Sequence, residues 1–253
     1  MIRIKQIQIP ELPTESPRRL YVYLPHDYQR SGRRYPVLYM FDGHNVFYDS
    51  HATYGKSWGM KEYLAKTKLP LIVVAVECNH EGERRMNEYS PWDTDFPGLG
   101  QLEGQGKLTM DWIAGPLKQE IDGTYRTLPD RENTMIAGSS MGGLMALYAV
   151  TAYNGIFSRA AALSPCIWFS TNELYPLFSK TPLRNPTQVY MDLGTGEIPE
   201  DGRSYLSEMF RCAAELSSAG ADVAARVIPG AAHCEAAWEK RIPVFMDYLL
   251  GTE

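Results

Sequence analysis

The chain reads as an α/β protein with a mostly parallel central sheet and helices on both faces. Three observations predict this. Short β-rich runs alternate with longer helical patterns from about residue 36 onward, the arrangement that builds βαβ units. Several of those runs are apolar throughout, as strands covered on both faces must be. No linker, internal repeat or low-complexity tract interrupts the 253 residues, so residues 1–253 are expected to form one domain. At that length folding buries roughly 70–75% of the unfolded surface, enough for a full sheet-and-helix core.

Taken in order, Ile2 and Ile4, then Ile7 and Ile9, have the look of an edge strand. The further strand candidates are Leu20–Leu24, Val37–Phe41, Leu71–Val76, Thr134–Ala137, Ala160–Leu163, Val189–Leu193 and Val223–Ile228. Helices are expected over Gly59–Thr67, Thr109–Tyr125, Gly142–Ala152, Ser204–Ser218 and Ala236–Leu250. In the second of these, Met110, Ile113, Ala114, Leu117 and Ile121 share one face at helical spacing. Pro116 interrupts that pattern and predicts a kink or a late start. Two connections, Cys78 to Lys107 and Pro165 to Thr187, are long enough to be functional. The second carries Trp168, Phe169, Tyr175 and Phe178 and is expected to form a partial cap.

The net charge of −5, with no basic cluster larger than the pairs Arg33-Arg34 and Arg84-Arg85, argues against a nucleic-acid partner. The N-terminus has Arg3 and Lys5 but no apolar core of a signal peptide. No apolar run is long enough to span a membrane. Cys78, Cys166, Cys212 and Cys234 are widely spaced and form no C-x-x-C pair, so they read as reduced thiols in a cytoplasmic protein.

Chemistry enters at Asn133-Thr-Met-Ile-Ala-Gly-Ser-Ser-Met-Gly-Gly-Leu-Met-Ala-Leu-Tyr148, where Gly138 to Gly142 match G-x-S-x-G. Five residues alone match by chance often enough to mean little. Here an apolar strand precedes them and an alanine- and leucine-rich helix follows, the strand–turn–helix of a nucleophile elbow. The serine would sit on a strained turn that leaves no room for bulk at either glycine. The helix beginning there directs its positive end at a developing oxyanion. A Rossmann turn or a P-loop needs glycine and lysine spacings that are absent. Ser139 is a rival, but Ser140 holds the central position.

Of His26, His44, His51, His80 and His233, only His233 follows Ser140, as α/β-hydrolase chain order requires of the base. It lies just after the last predicted strand, where catalytic groups of open sheets gather. The acid belongs after Val189–Leu193. Glu197 is the choice there. Asp192 lies inside the strand, Glu200 and Asp201 lie further along, and Glu235 reads as structural. A carboxylate at that point would hold His233 in its productive tautomer.

These residues resemble the Putative esterase family of α/β hydrolases, which includes enterochelin and feruloyl esterases, S-formylglutathione hydrolase and the mycobacterial mycolyltransferases. The likeness covers Tyr39 to Phe47, Gly82 to Arg85 and Asn87 to Trp92. It continues through Glu120 to Asp122, Tyr125 to Thr127, the elbow, Ala162 to Pro165, Gly194 to Glu197 and His233 to Trp238. It implies an α/β-hydrolase fold and a serine esterase with a Ser-His-acid triad. It further implies an oxyanion hole from the backbone N–H groups of Met141 and His44. Where family members often carry Asp as the acid, this chain has Glu197.

The expected reaction is hydrolysis of a small-molecule carboxylic ester by Ser140, His233 and Glu197, through an acyl-enzyme. No cofactor is expected, and no metal, because no two histidines stand at helical ligand spacing. Trp58, Tyr89, Trp92 and Trp168 are candidate pocket residues, and aromatic walls suit sugar or phenolic esters. Arg84, Arg85 and Glu88 either read a polar substrate or pin the long loop. Two other readings share these residues: an acyltransferase with the same triad, and a non-catalytic binding module on the same scaffold.

Overall fold

Alternation along each strand splits the interior into two layers, one on either side of an eight-stranded sheet. The computed structural model of the protein describes residues 1–96, 100–198 and 203–251. Its strands are β1 (Ile2–Ile7), β2 (Arg18–Tyr23), β3 (Val37–Met40), β4 (Ile72–Val76), β5 (Thr94–Phe96), β6 (Gly100–Leu102), β7 (Thr134–Ser139), β8 (Arg159–Leu163), β9 (Gln188–Gly194) and β10 (Asp222–Ile228). The main sheet runs β1-β2-β4-β3-β7-β8-β9-β10, and β5 pairs with β6 apart from it. From β4 to β10 every pairing is parallel. β1 and β2 add an antiparallel edge.

The helices are α1 (Met60–Thr67), α2 (Arg84–Glu88), α3 (Gly106–Trp112), α4 (Lys118–Thr124), α5 (Met141–Ala152), α6 (Thr171–Lys180), α7 (Arg203–Ser218), α8 (Glu235–Glu239) and α9 (Ile242–Leu250). One face of the sheet, with Tyr39, Val74, Ile136 and Ala162, packs beneath α3, α5, α6 and α7. The opposite face, with Leu38, Val73, Met135 and Ala161, takes Met60 and Leu64 of α1, Trp238 of α8 and Phe245 of α9. α5 is buried from Met141 to Thr151, which explains why its sequence is apolar all round.

The expected helix over Thr109–Tyr125 starts earlier, at Gly106. It passes through a π turn, Ile113–Leu117, before α4. Pro116 lies in that turn, where the regular hydrogen-bond ladder is already interrupted. The expected C-terminal helix is broken at Lys240-Arg241 into α8 and α9, with Pro243 in the first turn of α9. Both long connections carry structure of their own: α2, β5 and β6 in one, α6 in the other. α6 packs on α5 and α7, so the expected cap is part of a helical layer. No helix among the described residues is long and apolar enough to cross a membrane.

β3 and β7 are neighbours, yet the chain leaves β3 toward β4 and leaves β7 toward β8. Loops departing in opposite directions open a crevice at the carboxyl ends of this strand pair, and open α/β sheets bind their ligands there.

Across the β2–β4 edge, Arg18 is buried against Glu88, with Nη1 to Oε2 at 2.8 Å and Nη2 to Oε1 at 2.5 Å. Both side chains are nearly inaccessible, so removing one strands the other's charge. Glu88→Ala is expected to lower stability by about 3–5 kcal/mol, read from urea unfolding midpoints. A loss within about 0.5 kcal/mol, the range of ordinary surface substitutions, would show that the pair contributes nothing.

Candidate active site

β7 ends at Ser139 and α5 begins at Met141, so Ser140 alone makes the turn, at φ 58° and ψ −125°. That is a strained conformation for a residue with a Cβ. The flanking glycine is a steric necessity: a Cβ on Gly138 would lie 2.5 Å from the carbonyl carbon of Gly142. The backbone of Ser140 is tied to β8 and its exit, its N–H donating to Leu163 O and its carbonyl accepting from Cys166 N.

Ser140 opens into a cavity of about 460 Å³ shared with Ser139, His44, Arg85, Glu235 and His233. In this structure the Ser140 hydroxyl lies 3.4 Å from the Cys166 thiol. Burial pushes that thiol up to about 11, so it stays protonated. Ser139 is buried in the strand.

His233 is partly exposed, and its Nδ1 lies 2.7 Å from Glu197 Oε2. Glu197 sits in the short turn Thr195–Glu197 after β9. Its other oxygen accepts from Ser164 Oγ and the Gly194 N–H, both at 2.7 Å, and from Arg241 Nη2 at 3.2 Å. Burial pushes this carboxyl up, but the hydrogen bonds from His233, Ser164 and Gly194 together hold it below its ordinary 4.5. Asp192, one of the alternative acids, is fully buried and bonded to Arg241 and Tyr190; burial raises it. Glu200 and Asp201 lie outside the described residues. Glu235 lines the cavity, accepts from Asn45 Nδ2 at 3.2 Å and is raised by burial.

Met141 is the first residue of α5, and its N–H is among those a helix leaves without an internal partner. His44 lies in a 3-10 turn directly after β3. The two segments abut, for a Cβ on Gly142 would lie 3.1 Å from Phe41 Cβ and 3.4 Å from Asp42 Oδ2. Burial pulls the His44 imidazole down to about 4, which leaves it neutral. Asp42, at φ 54°, is gripped by Arg85 through two hydrogen bonds of 2.7 Å. Burial works against its charge, and Arg85 more than offsets this, so Asp42 stays below its usual range.

The four aromatics expected to line the pocket do not. Trp58 is buried against Trp238 and Phe245, and Tyr89 is buried with its hydroxyl accepting from Asp42 N. Trp92 packs edge-on to Tyr148, and Trp168 packs at a 45° tilt against Tyr205. Each has apolar surface that the core or a neighbouring ring covers more completely than a hydrated cavity would. Among the described residues, the phenol and indole side chains that line the cavity are Tyr54, 82% exposed, and Trp238, which packs edge-on to His233. Arg85 and Glu88 pin the loop internally, and Arg84 pairs with Glu81. Sequence reasoning also missed Ser164 and Arg241. Ser164 lies in the quoted Ala162-Leu-Ser-Pro165 segment, whereas nothing local marks Arg241.

A parallel sheet with a serine on a one-residue turn at the switch point is the architecture of the α/β-hydrolase fold. The model of the family described as "Putative esterase" matches residues 13–245, so the chain belongs to that family. Carboxylic-ester hydrolysis is the activity class this membership carries. The chain is 25% identical over 190 residues to "Uncharacterized protein YbbA" of Bacillus subtilis (strain 168), covering 71% of this chain and 69% of that one. It is 32% identical over 143 residues to "Esterase Rv1288" of Mycobacterium tuberculosis (strain ATCC 25618 / H37Rv), covering 56% of this chain and 28% of that esterase. Among solved structures, an IroE-like serine hydrolase from Shewanella oneidensis superposes with a TM-score of 0.77 at 21% identity, over 98% of this chain and 79% of that one. An S-formylglutathione hydrolase from Agrobacterium tumefaciens gives 0.71 at 16%, over 99% and 95%. At these identities the structures establish the fold.

The depressed Glu197 carboxyl links the network to pH. The folded chain binds fewer protons there than the unfolded chain does. The resulting stability is complete above about pH 4.5 and is lost as pH falls through the folded value. Glu197→Gln is therefore expected to show a smaller drop in urea midpoint between about pH 6 and about pH 3 than the parent does. Equal drops would contradict it.

Proposed function

We propose that this chain hydrolyses small polar carboxylic esters through an acyl-enzyme on Ser140. The observation that carries the reading is a single cavity holding a serine on a strained turn and a histidine already fixed by a buried carboxylate.

In this reading His233 donates its Nδ1–H to Glu197, which leaves Nε2 as the acceptor for the Ser140 proton. The hydroxyl exchanges its contact with Cys166 for His233 as substrate enters, since such hydrogen bonds tighten in the reactive complex. Oγ attacks the ester carbonyl, and the oxyanion is met by the N–H groups of Met141 and His44. Collapse expels the alcohol, which takes its proton from His233. Water, activated by the same imidazole, then releases the acid.

The polar character of the substrate follows from the walls. Asn45, Asn79, Arg85 and Glu235 face the cavity, with Tyr54 at its rim. A bulky apolar acyl group would strand these polar atoms, and unpaired buried polar groups discriminate strongly.

A panel of esters, from acetyl and acetyl-sugar to feruloyl, tests this. Acetylated polyols are expected to give the highest kcat/KM. Ser140→Ala should lose at least about a thousandfold in kcat, and Glu197→Gln about a thousandfold or more. Ser140→Ala turning over near the parent rate would end the assignment. Because His233 is 38% exposed on its side-chain surface, water reaches it, and free acid is expected as the main product even with added glycerol. Glycerol ester as the main product would make the chain an acyltransferase.

A further inference from the structure

Three side chains on one wall of the cavity are arranged as metal ligands, although they lie far apart in the sequence. His44 follows β3, and Cys78 and His80 follow β4. One donor atom from each lies within 4.8 Å of the others. The His44 and His80 rings meet nearly edge to face, with centroids 4.4 Å apart.

Each imidazole is held through one nitrogen. His80 Nε2 lies 3.1 Å from Glu77 Oε1. A carboxylate oxygen accepts, so Nε2 carries a proton, and in the neutral imidazole Nδ1 keeps a lone pair for a metal. Carboxylate–histidine pairing of this kind orients imidazoles that bind metals. His44 is held through Nε2 by Thr53 Oγ1 at 3.0 Å. Its Nδ1 is buried and has no hydrogen-bond partner, in a residue only 3% exposed. A buried polar atom without a partner is costly and calls for an explanation. A ligand in the cavity supplies one.

We propose that His44, Cys78 and His80 form a three-ligand site for a borderline-soft divalent cation of the zinc type, and that its occupancy inhibits hydrolysis. A thiol with two imidazoles selects zinc or cobalt over magnesium or calcium, which prefer oxygen. Tetrahedral bonding sets ligand separations of roughly 3.3–3.6 Å, so the three donors must draw in slightly. His80, whose side chain is 51% exposed, has room to make that move by pivoting on its bond to Glu77. The fourth position faces the cavity and is left for water. On binding, the Cys78 S–H bond breaks, its electron pair goes to the metal and the proton leaves to solvent. The ion then stands on the wall shared with Ser140 and beside the His44 backbone, where it obstructs the ester. The inhibitory part rests on the esterase reading of this cavity, whereas the binding part does not.

Cobalt chloride separates the two. One equivalent added to the purified protein is expected to produce a thiolate-to-cobalt charge-transfer band in the near ultraviolet, removable by zinc. Ser140→Ala should keep the band, since the hydroxyl is not a ligand. Cys78→Ser should lose it. His80→Ala, altered at a half-exposed position that does not endanger folding, should bind cobalt at least about tenfold more weakly. Against an ester that the parent hydrolyses, saturating zinc should lower the rate at least about tenfold, while His80→Ala at the same zinc concentration keeps most of its own metal-free rate. No band in the parent, or a band surviving in Cys78→Ser, overturns the site. Full activity with zinc bound overturns the inhibition.

Discussion

Three adjacent strands of the sheet end on residues forced into left-handed backbone without being glycine: Asp42 after β3, Ser140 after β7 and Ser164 after β8. Each such residue costs on the order of 1–3 kcal/mol and persists only where its surroundings dictate it. The surroundings here are specific. Arg85 grips Asp42 with two hydrogen bonds, and Trp238 and Arg241 both donate to Ser164 Oγ at 3.0 Å. Ser140 is fixed through its backbone by the exit of β8. The strain turns the chain sharply at each strand end, so that Asp42 and Ser140 line the cavity while Ser164 stays buried and donates to Glu197.

Buried arginines supply much of that restraint. Arg241, 2% exposed, bridges Asp192, Ser164 and Glu197, and so joins β8, β9 and the turn after β9. Burying a guanidinium is unfavourable unless carboxylates and acceptors surround it. Two acids and a hydroxyl do so here. The same grouping treats the two acids differently: Asp192 is bonded inside the sheet to Arg241 and Tyr190, and Glu197 keeps one oxygen for His233. A fully buried network of this kind tolerates few alternatives, because each lost partner leaves another polar atom unpaired. The position of His233 is therefore set by groups that never reach the cavity.

How much of this could be read in the amino-acid order follows from range. Strand β4 is a continuous apolar run, β7 and β8 contain the apolar runs Met135–Ala137 and Ala160–Leu163, and the elbow is a local contest between glycine and a Cβ. Both are written within a few residues and were legible. The position of Glu197 was legible because a strand exit is a local feature, and His233 because chain order left one histidine. The aromatics were not legible. A loop tryptophan looks the same whether it faces solvent or the core, and only the packed sheet shows that Trp58 meets Trp238. Pro116 and Pro176 sit inside helices because tertiary packing overrides their local preference. Arg241, Ser164 and the grouping of His44 with Cys78 and His80 depend on contacts across the fold, which no spacing rule reports.

The switch between β3 and β7 also divides the cavity's tasks. On the side of β8, β9 and β10 stand His233, Glu197 and the arginine network, all suited to moving and holding a proton. On the side of β3 and β4 stand His44, Cys78, Asn79, His80 and Arg85, which present lone pairs, amides and a cation to whatever enters. The two sides are joined by Asn45, whose Nδ2 donates to Glu235 Oε1 at 3.2 Å. In the proposed reading, a change on the β3–β4 side can thus alter which ester is accepted, or whether an ion is held, without moving His233 and Glu197. The reverse does not hold, since the β8–β10 side is tied into the sheet by buried charge. In the proposed reading, selectivity and the inhibitory ion both fall to the β3–β4 wall, where the buried Nδ1 of His44 lacks a hydrogen-bond partner.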